Sequence, residues 1–85
     1  MSLTITDAAW TQLVTQAAEQ VADVRVRRRG VERSGDDVSL QIVARYGTVL
    51  PSAAREVQAH VAAAVRSMCG VELSSVDVAV EELDE

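Results

Sequence analysis

The chain has 85 residues, 48% of them hydrophobic, and a formal net charge of −5. A chain of this size makes one small domain over residues 1–85, with an ordered core expected at about 3–82 and a stability of about 4–8 kcal/mol. No apolar run nears the ~20 residues that span a bilayer, the N-terminus has no secretory leader pattern, and the acidic balance disfavours bulk nucleic-acid affinity.

Residues 3–5 alternate weakly and make at best an edge strand. Thr6 is suited to cap a helix, because its hydroxyl can accept a first-turn amide, and Asp7 then sits at the positive end of the helix dipole. Trp10, Leu13, Val14, Ala17 and Val21 recur at helical spacing on one face, which predicts a helix over 7–22. Val24 and Val26 then alternate with Arg25 and Arg27, as in a half-buried strand. Val31 has the opposite parity, so one extra residue near Gly30 is expected as a bulge that restores the inward face. Ser34-Gly35-Asp36-Asp37 is a turn cluster. Beyond it Val38, Leu40, Ile42 and Ala44 alternate with Ser39, Gln41, Val43 and Arg45, which completes a β-hairpin.

Tyr46-Gly47 ends that strand. Pro51 suits the first turn of a second helix, where its missing amide costs nothing, and Gly70 suits the left-handed position after its end. This helix is expected over about 51–69, with Ala54, Val57, Val61, Ala64, Val65 and Met68 on its apolar stripe. Val71 and Leu73 return to the core, Val76, Val78 and Val80 form a last strand, and Glu82 onward should fray. The fold class is therefore α+β: a two-layer sandwich of order (β)-α-β-β-α-β, with both helices on one face of a small mixed sheet. A parallel last pair would cross over right-handed through the second helix. The other face would carry Arg25, Arg27, Ser39, Gln41, Val43, Arg45, Asp77 and Glu81.

No catalytic constellation emerges. His60 and Cys69 lie nine residues apart on one predicted helix, about half a turn out of phase and ~13 Å apart along its axis, so they form no nucleophile–base pair. Both read as boundary packing beside the stripe. One His and one Cys do not supply an ordinary four-ligand zinc site, and the glycines form no phosphate-binding loop. No cofactor, metal or small-molecule substrate is expected. The lone Cys69 precludes an internal disulfide and fits a reducing compartment, so the chain reads as cytoplasmic and soluble.

The charge pattern is the one functional signal in the residues themselves. All eight basic residues are Arg, and Arg25, Arg27, Arg28, Arg29 and Arg33 fall within one nine-residue stretch, while Glu81, Glu82, Asp84 and Glu85 close the chain. Such asymmetry can steer a partner, or it can be no more than a solvated face beside a solubilising tail. The candidate interaction surface is Arg25, Arg27, Arg28, Arg29 and Arg45. An alternative is a KH-like module that binds RNA through the Arg25–Arg29 strand. Against it, the chain has no Gly-x-x-Gly loop and no aromatic residue on the predicted sheet face for bases to stack on.

Tyr46-Gly47, Leu50-Pro51, Ala54, Val57-Gln58, Val61, Ala64-Val65, Met68, Gly70-Val71 and Val76, Val78, Val80 together resemble the Asp23/Gls24 family of alkaline shock proteins (a family name, unrelated to residue 23). Ile5-Thr6 before the first helix resembles the family's opening more loosely. Cys69 stands where the family tends to have Thr, Asp77 where it tends to have Asn, and Arg66 where an acidic residue is frequent. The family's tails are absent, which bears on partner contacts more than on fold. The resemblance implies a non-enzymatic protein of the cell-envelope stress response. It further implies self-association, or docking to a membrane-anchored protein partner from the cytoplasm.

Overall fold

A computed structural model describes residues 6–83. Its elements are α1 (Asp7–Ala18), β1 (Val24–Ser34), β2 (Asp37–Arg45), α2 (Leu50–Cys69) and β3 (Ser75–Leu83). The expected strand at residues 3–5 lies outside the described residues. Thr6 caps α1 as its chemistry predicts: its Oγ1 accepts from the Ala9 amide at 3.1 Å. Thr6→Ala should lower stability by about 1 kcal/mol, read from a thermal or urea melt.

α1 is shorter than the sequence suggested. The α-helix stops at Ala18, and Val21 follows in a tightened turn in which its amide bonds to the Ala18 carbonyl at 3.2 Å. No glycine closes this end. Asp23 takes the left-handed conformation instead, at φ 65°. Its carbonyl accepts from the Arg45 amide at 2.9 Å and its carboxylate stands 3.7 Å from the Arg45 guanidinium. Asp is among the few residues that tolerate this conformation, because its side chain can bond locally. The early turn still buries Val21, so the apolar spacing reported the burial correctly and the helix length incorrectly.

β1 and β2 form the predicted hairpin, antiparallel and closed by Gly35-Asp36, with Gly35 at φ 60°. The bulge is present but larger than one residue. Between the pairs Val26–Ile42 and Val31–Leu40, four residues of β1 stand opposite Gln41 alone. An odd excess of residues restores the inward parity, and Val31 returns to the core side as expected. β3 pairs parallel with β2 in an unbroken register from Asp37–Ser75 to Arg45–Leu83, so the sheet order is β1-β2-β3. The strand is longer than expected and includes Glu82, opposite Ala44, which the sequence had placed in a frayed end.

The core lies on one side of the sheet. Val38, Leu40 and Ile42 of β2 form one core with Trp10, Val14, Ala17 and Ala18 of α1 and Ala53, Val57, Val61 and Val65 of α2, and Ala44 of β2 is buried as well. The valines of β3 are only half-buried, as befits an edge strand. Two stripe positions need correction. Ala53 rather than Ala54 is fully buried, and Met68 is 72% exposed. The buried row of α2 runs through Ala53, Val57, Val61 and Val65 at a spacing of four and continues to the half-buried Cys69, which leaves Met68 beside the row. His60 is exposed rather than at the packing boundary, while Cys69 is half-buried against the core. α2 ends at Gly70, which takes φ 69° as its position requires.

Candidate functional site

One face of the sheet packs on both helices and the other is uncovered among the described residues. Along β2 the alternation is complete: Asp37, Ser39, Gln41 and Arg45 are exposed and Val43 half-buried, against four buried neighbours. β1 adds Arg25 and Arg27 to the open face, and β3 adds Asp77, Ala79 and Glu81. The surface runs from a basic margin at β1 to an acidic one at β3, with a near-neutral centre on β2.

The arginines reach this surface by two routes. Arg25 sits in regular alternation opposite Val43. Arg27, Arg28 and Arg29 belong to the bulge, where Arg29 adopts φ 59°. A bulge bends its strand and leaves the extra residues unpaired, so these three side chains do not follow the strand's regular alternation. All three are exposed. Gly30 makes the bend possible: a Cβ there would stand 2.7 Å from the Gln41 carbonyl oxygen and 2.8 Å from that of Arg27.

The five candidate arginines do not converge on one point. Arg27 bridges the sheet to Glu81, Nη1 to Oε2 at 2.6 Å, over Gln41 and Ala79. Both side chains are more than half exposed, so the pair adds at most about 1 kcal/mol, less in salt. Arg45 is engaged with Asp23 at the far end of β2. Arg25, Arg28 and Arg29 enter no ion pair among the described residues. Arg33, the fifth member of the sequence cluster, is taken up elsewhere: its guanidinium lies 4.0 Å from the Trp10 ring centroid, a cation–π contact that covers the indole.

Three further residues shape this surface; Glu81 and Gln41 were expected on the face without these roles, and Glu19 was not expected there. Glu81 was placed on the face but not matched to Arg27; opposite charges of like parity on strands that share β2 as a neighbour were the available signal. Gln41 is the residue spanned by the bulge. Glu19 folds back from the end of α1, where its carboxylate accepts from the Val26 amide at 3.1 Å and blocks that stretch of the β1 edge. The α1–β1 turn carried no periodic signal for such a contact.

A shallow open depression of about 610 Å³ lies at the Arg45 end, walled by Glu19, Asp23, Arg25, Val43 and Arg45. Glu19, Asp23 and Arg45 already have partners there, and Arg25 enters no ion pair among the described residues. Among the described residues no cluster of three His, Cys, Asp or Glu side chains is placed to hold a metal ion. Among them, too, no helix is long and apolar enough to cross a membrane.

Comparison with known proteins places the chain. A family model described as Asp23 family, cell envelope-related function, matches residues 1–84. No curated protein matches the sequence. Among solved structures, a copper form of a MamM CTD variant is 24% identical, covering 93% of this chain and 100% of that one at a TM-score of 0.59. A histidine-to-alanine MamM CTD variant has the same identity and coverage at a TM-score of 0.60. A cadmium form of another variant is 26% identical over 91% of this chain and 96% of that one, at a TM-score of 0.57. These likenesses support the α-β-β-α-β architecture.

Proposed function

The chain belongs to the Asp23 family of cell envelope-related proteins, and from that premise we propose that it is a non-catalytic interaction module. It works from the cytoplasmic side of the envelope, assembling with copies of itself or docking to a membrane-anchored protein. The observation that carries this reading is the uncovered sheet face with its bulged arginine margin. Three of its guanidiniums, on Arg25, Arg28 and Arg29, are exposed and without an ion-pair partner among the described residues. Guanidinium groups bind carboxylates through paired, planar hydrogen bonds, so such a margin suits an acidic protein surface.

The metals held by the MamM CTD forms do not transfer readily. Those forms carry copper or cadmium, whereas this chain has one His and one Cys, both on α2, which packs on the opposite side of the sheet from the arginines.

The test is charge reversal of the margin, R25E/R27E/R29E, in the full chain. Sedimentation velocity reports self-association, and pull-down from the native membrane fraction reports partner binding. At least a tenfold loss of whichever association the parent shows is expected, with the melting temperature confirming that the variant folds. Association equal to the parent's would remove the arginine margin as the interface. A parent chain that stays monomeric and retains no membrane protein would overturn the interaction reading itself.

A further inference from the structure

The two outer edges of the sheet are unequal, and the inequality points to a second docking surface. The β1 edge is obstructed. Glu19 already occupies the Val26 amide, and four bulged residues from Arg27 to Gly30 twist the next stretch away from any neighbour. Natural sheets use these same devices, bulges and charged edge residues, to prevent strand addition.

The β3 edge has no bulge, and its charged residues are all acidic. Its nine residues hold an unshifted register with β2 and include no proline, no glycine and no basic residue. Among the described residues, the only side chain bonded to its backbone from outside the sheet is Gln58, whose amide donates to the Val76 carbonyl at 2.9 Å, near the start of the strand. Val76, Val78 and Val80 line its helix-facing side and remain half-exposed. Asp77 and Glu81 line the open face, and Glu82, opposite the buried Ala44, shares the parity of the valines. Asp77 and Glu82 enter no ion pair among the described residues.

We propose that the β3 edge accepts an extended partner segment in which apolar residues alternate with Arg or Lys, added to the sheet as a fourth strand. Ladder hydrogen bonds supply affinity in this mode and the alternating side chains supply specificity. The apolar positions of the added strand continue the Val76-Val78-Val80 row under α2, and its basic positions meet Asp77 and, beside its bond to Arg27, Glu81 on the open face. Charge selects this occupant over a second copy of β3. Two acidic strands side by side bring Asp77 and Glu81 of each copy near their counterparts, and cross-strand like charges are destabilising. The inference does not depend on the arginine margin being an interface, since it concerns the opposite edge.

The test adds a short synthetic peptide of alternating valine and arginine to the full chain. Fluorescence anisotropy follows binding, and NMR follows amide exchange along Val76–Glu82. Saturable binding with slowed exchange in that strand is expected. The D77K/E81K variant, which reverses both open-face carboxylates, should bind at least tenfold more weakly while its melting temperature shows that it folds. N-methylation of alternate peptide amides, which removes ladder donors and leaves the charges and the protein unchanged, should also cost at least tenfold. Equal binding by the N-methylated peptide would show plain charge attraction and overturn the proposal. So would equal binding by a valine–glutamate peptide, unprotected β3 amides at saturation, or β3 pairing with a second copy in place of the peptide. Failure here leaves the arginine reading standing, because the peptide is tested on the parent chain and its β3 variants; R25E/R27E/R29E, which breaks the Arg27–Glu81 pair, is read only by self-association and partner capture.

Discussion

Replacing Gly30 with alanine should destabilise the protein by about 3 kcal/mol, at the upper end of what overpacking costs. The reason is contact with backbone and not glycine's freedom at positive φ. The new methyl would sit 2.7 Å from the Gln41 carbonyl oxygen and 2.8 Å from that of Arg27. Neither atom belongs to a flexible side chain that could swing away, so relief requires the bulge to open or β1 to separate from β2. Gly35→Ala is the informative comparison. A Cβ at Gly35 meets nothing within 4 Å, although its φ of 60° is strained for alanine. That substitution should cost about 1 kcal/mol, the usual penalty for a left-handed alanine. Urea midpoints of the two variants check the ranking. If the bulge opens in Gly30→Ala, Arg28 and Arg29 move too, and any association that depends on them weakens along with stability.

Leu40→Ala should cost about 2–5 kcal/mol, a large share of the roughly 4–8 kcal/mol expected for a domain of this length. Leu40 is 1% exposed at the middle of the central strand, within the core cluster that both helices share. Its removal leaves a cavity between three elements that are each held elsewhere, so collapse can be only partial. The same truncation three residues along, Val43→Ala, acts on the half-buried open face and should cost less than about 1 kcal/mol. Equilibrium unfolding of the pair measures how one-sided the burial is. Similar losses in both would mean that the open face is covered by something in solution.

Most of the scaffold was legible because its signals are local. Thr6, Pro51 and Gly70 mark helix ends through their own chemistry, and the β2 alternation reads directly as one buried face. The errors arose where length or neighbours decide. α1 stops at Ala18 because the chain turns back at Asp23, held by Arg45 on a strand formed twenty residues later. Met68 is exposed because the buried row of α2 follows Ala53, Val57, Val61 and Val65 on to Cys69, one residue away from the expected choice at each end of the helix. The bulge was detectable by the parity of Val31. Its size was not, because any odd number of extra residues gives the same parity.

The candidate surface was legible in composition but not in arrangement. A run of arginines suggested one basic strand; the fold divides it into different environments. Arg25 is displayed by alternation, Arg28 and Arg29 belong to the bulge, Arg27 is drawn across the sheet to Glu81, and Arg33 stacks on Trp10. That division depends on sheet order, which places β1 and β3 on either side of β2.

The most direct measurement of the central claim is site-specific photo-cross-linking in the native cell. A photoreactive residue at Gln41, in the middle of the open face, is compared with one at Glu56, exposed on α2 on the other side of the sheet. An interaction module working through the open face gives a discrete cross-linked band, to a second copy or to one membrane protein, from Gln41 and none from Glu56. A band from Glu56 with Gln41 silent would contradict the account, because it would put the working surface on the helices.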